Sequence, residues 1–193
     1  MKRVIPFFCL LFFANVAFAE TGFQFTVPGA NLPDDPDVSG MRFSLLYGKN
    51  QSMSGLDLGL LSLSETSKMS GLALVAGVHK VTGEMSSSAS FSLMNYHTGM
   101  DSGVNGAFVN VLNDAGGAFN TGFFIIAKGA TLVDLGGINI SKSSKVQIGF
   151  LNVTQELETF QFGFLNMAKN GFLPIFPVFN FPKPGSAGQQ STQ

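Results

Sequence analysis

The sequence predicts an all-β protein built from repeated strand-and-turn units, and three observations lead to that class. Apolar runs of about eight to ten residues recur along most of the chain, and short polar breaks typical of turns follow them. Glycine (23 residues) and phenylalanine (21) are abundant, which disfavours helices and favours strands. Two phrases, VQIGFLNVT at 146–154 and FQFGFLNMA at 160–168, are nearly the same. A structural unit that stacks on its neighbour is copied in this way, whereas a catalytic motif rarely is.

The first 19 residues are predicted to be a secretory signal peptide. Lys2 and Arg3 precede an apolar segment, and Ala17 and Ala19 give the small-x-small form of a cleavage site. The only cysteine, Cys9, lies in this segment. The exported chain is therefore expected to fold without disulfides. We expect the protein in the periplasm, in the outer membrane or on the cell surface.

The rest of the chain divides into an arm, one repeat domain and a tail. Residues 20–40 are rich in Pro, Asp and Gly, which predicts a lead-in arm with little tendency to form a strand. Residues 41–181 carry the apolar runs and form the β-repeat domain. Near its end, Pro174 and Pro177 interrupt the alternation and predict a terminal edge or cap. Residues 182–193 are polar and predict a disordered tail.

Certain residues recur at similar places in the units. Glycine is expected where the backbone of one unit approaches the next, and asparagine where the chain turns. If the units stack in register, equivalent Asn side chains also bond one another along the stack. The repeat-defining residues are Gly59, Gly106, Gly122, Gly149, Gly163, Gln147, Gln161, Asn152 and Asn166, and Ser92 takes the glycine place in one unit.

The alternation within each unit predicts which side chains form the core. Successive side chains point to opposite sides of a strand, so each unit has one fully apolar face and one mixed face. The predicted core consists of Leu56, Leu58, Leu60, Val146, Ile148, Phe150, Phe160, Phe162 and Phe164. The mixed face then points outward and is the candidate contact surface, with Asp57, Gln147, Gln161, Lys49, Lys68 and Lys142.

Two architectures bury such strands. The favoured one is a β-solenoid of about nine to ten repeats of 14–16 residues, in which each unit is one coil and equivalent residues stack. The alternative is an up-and-down antiparallel β-barrel, which would explain why both faces of FNTGFFIIAK and FQFGFLNMA are largely apolar. The absence of Trp and the uniformly short breaks favour the solenoid. A sandwich or an assembled fibre is a third arrangement.

No pattern of catalytic, cofactor-binding or metal-ligating residues emerges from the sequence. His79 and His97 lie at the ends of apolar runs and are interpreted as solvated residues at turn edges. The Asp34, Asp35 and Asp37 cluster lacks a following Glu at the spacing of a calcium loop. With a net charge of −1, the chain offers no basic surface for nucleic acid. We therefore expect a protein that is not an enzyme and holds no cofactor.

Two families resemble this sequence. MRFSLLYGKNQSMSGLDLGL, the VQIGFLN and FQFGFLN phrases and the closing NGFLPIFPVFNF resemble a bacterial family of exported surface-repeat proteins, over about residues 40–181. That family has tandem G-[LV]-Q-[IL]-G-L-x-N units, and the resemblance implies architecture and export without chemistry. A weaker similarity is to curli-type amyloid subunits, whose repeats contain Q-x-G-x-x-N. Gln147, Gly149 and Asn152 have that spacing, and Ser141 lies six residues before Gln147.

The functional expectation is a non-enzymatic exported scaffold or binding module of the cell envelope. Its partner would be an unidentified envelope or surface component or a second copy of the chain, and membrane association stays open. The first alternative is a small outer-membrane β-barrel protein. The second is a self-assembling subunit similar to curli.

Overall fold

The structure, a computed structural model, describes residues 21–186 and contains no helix in that range. The predicted signal peptide, with Cys9, and residues 187–193 of the predicted tail lie outside the described residues. The strands are β1 (Thr21–Val27), β2 (Ala30–Leu32), β3 (Asp37–Met85), β4 (Ala89–Asp101), β5 (Val104–Ala168) and β6 (Ile175–Asn180). They form one sheet in the order β2-β1-β3-β4-β5-β6.

The central strands pair in parallel, with partners about one repeat apart. Leu72 of β3 pairs with Ala89 of β4, and Ala89 pairs with Val104 of β5. Each coil therefore lies on the preceding coil and runs in the same direction, which is a β-solenoid, and the predicted fold class is confirmed. An up-and-down barrel requires antiparallel neighbours. The parallel register excludes that alternative as the fold.

The number of units differs slightly from the prediction. The structure has six strands, whereas nine to ten repeats were expected. A strand here is a larger unit than a coil, because β3 and β5 each continue through several consecutive coils. Within β5, for example, Gly136 lies against the carbonyl oxygen of Gly122, Gly149 against that of Gly136, and Gly163 against that of Gly149.

Each coil has two arms that meet at a corner. Buried and exposed side chains alternate along an arm, and at the corner two adjacent residues both remain unburied, as do Phe123 and Phe124. The inward side chains of one arm contact the other arm. Gln161, for example, donates to the carbonyl oxygen of Met167 at 3.1 Å across the interior. The core is the narrow space between the two arms.

Antiparallel strands cover both ends of the stack. At the amino end, β2 pairs with β1, and at the carboxyl end β6 pairs with β5, where Gln161 lies opposite Asn180. The predicted terminal cap is therefore present. The prediction of a strand-poor arm was wrong, because β1 and β2 lie within it. Gln24 of β1 lies fully buried in the interior and donates to the carbonyl oxygens of Pro33 and Asp35, which ties the Pro-rich segment to the stack.

The orientation of the coils is the reverse of the prediction. None of the nine predicted core residues is buried; Leu60, Phe150 and Phe164 are 49%, 65% and 69% exposed. Two of the predicted outward residues, Gln147 and Gln161, are fully buried. Asp57 is buried as well, whereas the outward lysines Lys49, Lys68 and Lys142 are exposed as expected.

The narrow interior explains this reversal. Between the arms lie small and amide side chains, whose polar groups bond one another from coil to coil, so few of them are left unsatisfied. Rows of Phe and Leu have no polar groups to bond from coil to coil, and they occupy the outside. The buried apolar residues form two clusters: one holds Val38, Met53, Met69, Ala73, Val75, Val81 and Met85, and another holds Leu112, Ala115, Ala118 and Ala127.

Candidate binding surface

A row of inward side chains runs along the stack and stiffens it. Successive coils contribute Gln24, Arg42, Asp57, Ala73, Ser90, Asn105, Asn120, Asp134, Gln147 and Gln161. The amide of Asn105 donates to Asn120 at 3.1 Å, and that of Asn120 donates to Asp134 at 2.8 Å. From the other direction, Gln161 donates to Gln147 at 2.7 Å. We call this row the first ladder.

A second ladder of asparagines explains the Gly-x-x-Asn spacing. Asn139 donates to Asn152 at 2.7 Å, and Asn152 donates to Asn166 at 2.8 Å. A glycine three residues before the asparagine leaves room for the asparagine amide of the preceding coil. A Cβ on Gly149 would lie 2.6 Å from Nδ2 of Asn139 and would overlap the carbonyl oxygen of Gly136. The asparagines bond one another along the stack, and the glycines lie where neighbouring coils approach closely, as expected.

One residue of the predicted glycine row is misplaced. Gly59, Gly122, Gly149 and Gly163 belong to the inward row, and Ser92 stands in it as predicted. Gly106 does not, because it pairs with the outward Phe91, and Ala107 pairs with Ser92. The row is therefore occupied in that coil by a buried alanine.

A buried ion pair lies near the amino end of the first ladder. The guanidinium of Arg42 donates to both carboxylate oxygens of Asp57, at 2.9 Å and 2.6 Å, and also to Asn50 and Ser64. Burial alone would raise the pKa of Asp57, but the hydrogen bonds and charge of Arg42 outweigh it, so the pKa is lowered. Each nitrogen of the Arg42 guanidinium thus donates to an interior acceptor, and a buried cation requires such partners.

The two histidines lie inside the stack, and their predicted solvated position was wrong. Nδ1 of His79 lies 2.7 Å from the hydroxyl of Ser90, and Nδ1 of His97 bonds Asp101. The rings meet edge to face with centroids 5.5 Å apart, and neither residue is exposed. Burial, followed by the neighbouring His97, lowers the pKa of His79 to about 3, so His79 is neutral.

The side chains of both histidines are fully buried in the stack. Two surface grooves in the described part of the chain are lined by residues 26–49 and 37–68, and neither includes a histidine. Among residues 21–186, no group of three or more His, Cys, Asp or Glu side chains could hold a metal ion. The same residues include no helix long and apolar enough to cross a bilayer. The buried polar groups of this cluster serve to hold coils together.

The outer surface of the first arms is a continuous apolar sheet face. We call it the apolar face; its outward residues are the first, third and fifth of 41–45, 56–60, 72–76, 89–93, 104–108, 119–123, 133–137, 146–150 and 160–164. Apart from Gly106, Thr121 and Gly137 they are all apolar, none is charged and none is buried. Equivalent rings stack along it, as Phe150 and Phe164 do with centroids 4.8 Å apart and 3° between planes.

The outer surface of the second arms has a different composition. We call it the second face; its outward residues are the first, third and fifth of 78–82, 94–98, 109–113, 124–128, 138–142, 151–155 and 165–169. The fifth position of each is polar, and includes Lys128, Lys142 and Lys169. Earlier in the stack, Glu65 accepts from Lys49 at 3.2 Å and from Lys80 at 3.1 Å. Polar residues therefore line the end of the second arms, and they continue through the turn to the next coil, where exposed Lys145 precedes Val146.

The apolar face is the feature that sequence reasoning assigned to the core. A signal for the correct orientation was present within the two repeated phrases. Their amides are identical, Gln147 with Gln161 and Asn152 with Asn166, whereas some of the apolar residues change, as Ile148 does to Phe162. Identity is required of side chains that must bond their own equivalents, and it is less strict for side chains that only pack.

Comparison with known proteins gives no match. No family model, curated protein or solved structure matches the chain at the threshold applied.

Proposed function

We propose that this protein is a non-enzymatic exported scaffold that uses the apolar face to bind a component of the cell envelope. The observation that carries the proposal is the extent of this face: exposed aromatic and aliphatic side chains continue from Met41 to Phe164 without a charged residue. Contiguous apolar surface of this kind marks an interaction site in a folded protein.

The interior supports a structural role. The histidines and the carboxylates of Asp57 and Asp101 are buried and bonded to other interior side chains. A solenoid held by such ladders keeps its outer rows at fixed spacing, which suits the presentation of a surface. The apolar residues of the face are thus available for binding, while the polar residues maintain the shape.

The covered ends favour a discrete scaffold over the curli-like alternative. An open-ended stack would add further chains to its edge strands. Here β2 has three residues and β6 contains Pro177, which lacks the N–H that a ladder needs, and both strands are antiparallel to the stack. A repeat similar to that of curli therefore does not require growth by end-to-end addition.

Fractionation of cells that express the full chain tests the proposal. In a host with an outer membrane, we expect the protein to be cut after Ala19, as read by mass spectrometry, and to be recovered in the envelope fraction. The double variant Phe150→Ser with Phe164→Ser should shift to the soluble periplasmic fraction, because it removes two of the most exposed rings of the apolar face.

A matched control uses two exposed residues of the second face, Ile126→Ser with Ile140→Ser. This variant should remain in the envelope fraction. The proposal fails if the uncut protein stays in the cytoplasm, or if the wild-type protein is released in buffer as readily as the double Phe variant. Equal release of both variants would show that the apolar face is not the binding surface.

A further inference from the structure

We infer that the apolar face is covered by the apolar face of a second copy of this chain, giving a face-to-face homodimer. The inference rests on the proposed function: the envelope component that this surface binds is then a second copy of the exported chain. Three features of the structure lead to a second copy: the area of the face, the regular spacing of its rows and the absence of charge on it.

The area of the face matches what a stable dimer buries. Neighbouring strands lie about 4.8 Å apart and a strand rises about 3.3 Å per residue, so the face covers roughly 700 Å². Specific protein complexes bury about 800 Å² on each partner. Two such faces in contact would therefore form an interface of ordinary size and would remove both apolar faces from water.

The rows of side chains are complementary to rows of the same spacing. Phe108 stacks on Phe123 with centroids 5.4 Å apart, and Phe150 stacks on Phe164 at 4.8 Å, so the outward rings form ridges along the stack. The ridges and the grooves beside them have the same spacing in both copies. The ridges of one copy can therefore fit into the grooves of the other, as in a dry sheet interface. A two-fold axis brings the same patch to both sides.

The charge distribution favours a second copy over a lipid surface. Binding to anionic headgroups uses Lys and Arg beside the apolar residues. On this chain the outward positions of the apolar face hold no cation, and Lys128, Lys142 and Lys169 belong to the second face. At the edge of the apolar face, exposed Lys145 precedes Val146, and the acidic Glu158 lies two residues before Phe160. A second copy places an uncharged face against an uncharged face, and no charge of the face is desolvated.

The test is the mass in solution of the protein purified from cells that express the full chain. Light scattering after size exclusion should give twice the chain mass at micromolar concentration for the wild-type protein and for Ile126→Ser with Ile140→Ser. The double variant Phe150→Ser with Phe164→Ser should give the single-chain mass with an unchanged circular dichroism spectrum. A monomeric wild-type protein overturns the inference, as does an assembly whose mass both double variants leave unchanged.

Cross-linking supplies a second measurement that does not depend on a destabilising variant. Phe108→Cys lies on the apolar face in the fifth of its nine arms, and Lys142→Cys lies on the exposed edge of the second face. After removal of residues 1–19 each protein has one cysteine. A short bis-maleimide should join two copies through position 108 and not through position 142; the reverse pattern overturns the inference.

Vesicles of phosphatidylcholine separate this inference from the proposed function. A wild-type protein that is monomeric and floats with the vesicles has lipid as its partner, which overturns the dimer and leaves an envelope-binding scaffold. A monomeric protein that binds neither vesicles nor the envelope fraction overturns both proposals.

Discussion

At the scale of single residues, the phrase G-F-L-N describes one corner of a coil. Gly149 points inward, Phe150 and Leu151 turn the corner outside, and Asn152 points inward again. The amide of Asn152 donates to the carbonyl oxygen of Phe162 in the next coil at 3.0 Å and to Asn166 at 2.8 Å. Glycine and asparagine are therefore coupled, because the amide occupies the space that the missing side chain leaves.

Gly149→Ala should destabilise the fold for this reason. Its Cβ would overlap the carbonyl oxygen of Gly136 and crowd the amide of Asn139, so backbone must move. We expect a loss of about 1–3 kcal/mol in the free energy of unfolding, the usual cost of overpacking. Urea denaturation followed by circular dichroism measures it.

The matched control for this substitution is Gly22→Ala. The nearest atom to a Cβ at Gly22 is 4.0 Å away, so this variant should unfold near the wild-type midpoint. Equal midpoints for Gly149→Ala and the wild-type protein would show that the close approach of the coils does not constrain position 149.

At the scale of the ladders, Asp134 is the point where the direction of donation reverses. Asn120 donates to its Oδ1 at 2.8 Å from one side, and Gln147 donates to its Oδ2 at 3.3 Å from the other. Thr131 and Ser144 also donate to Oδ2. A carboxylate accepts at both oxygens, and an amide does not, which explains an acid at this place in a row of amides.

The buried charge of Asp134 lowers the free energy of unfolding in a way that a neutral amide would not. Burial raises the pKa of this carboxyl, although its hydrogen bonds act in the opposite direction. A carboxyl with a raised folded pKa binds more protons in the folded state, so its contribution to stability falls as the pH rises through that range. For Asp134→Asn, the stability of the variant minus that of the wild-type protein should increase from pH 4 to pH 8.

Urea titrations of both proteins at several pH values measure this difference. Asn105→Asp is a useful counterpart, because it introduces a carboxylate into the same buried row. Its stability relative to the wild-type protein should fall over the same pH range. A difference for Asp134→Asn that is constant with pH would refute the assignment of the cost to the buried charge.

At the scale of the whole molecule, a hydrogen-bonded polar interior makes the fold sensitive to acid. The carboxyl pKa values of Asp57 and Asp101 are lowered: burial acts against them, and Arg42 and His97 outweigh it. Their contribution to stability is present above the unfolded pKa and is lost as the pH falls through the lower folded pKa. His79 acts at higher pH, because it is buried in its neutral form.

We therefore expect stability to fall between pH 6.5 and pH 3. Unfolded His79 takes a proton near pH 6.5, whereas folded His79 does so only near pH 3, so protonation favours the unfolded state over this range. The two pKa values correspond to roughly 5 kcal/mol at the acid limit. His79→Asn, which matches its register partner Asn95, should reduce this acid dependence.

Thermal unfolding of the wild-type protein and of His79→Asn from pH 8 to pH 4 tests this expectation. The wild-type melting temperature should drop as the pH falls below 6.5, and that of the variant should drop less. Parallel curves for the two proteins would show that His79 is not responsible. Asp57 and Asp101 remain in both proteins, so the decline at the most acid pH should be common to them.

Sequence periodicity was enough to favour the solenoid fold, but it did not identify which face of the coils is the candidate binding surface. The spacing of Gly149 and Gly163 and the identity of Asn152 and Asn166 predict parallel coils in register, as observed. Alternation separates Phe162 from Gln161 but does not say which of them points inward, because exchanging the faces leaves the pattern unchanged. Hydrophobicity alone then favours the wrong choice. Gly106 was misplaced because Ala107 fills the inward position of that coil.

The sequence by itself determined that the chain is β-structured, repetitive and capped at its carboxyl end. These properties follow from local features: strand-forming residues, glycines and amides at a fixed interval, and prolines that stop the pattern. The tertiary structure alone decided that the amides and His79 point inward and that Phe150 and Phe164 point outward. The bonds between equivalent amides of successive coils settle that orientation, and they exist only when the coils are stacked.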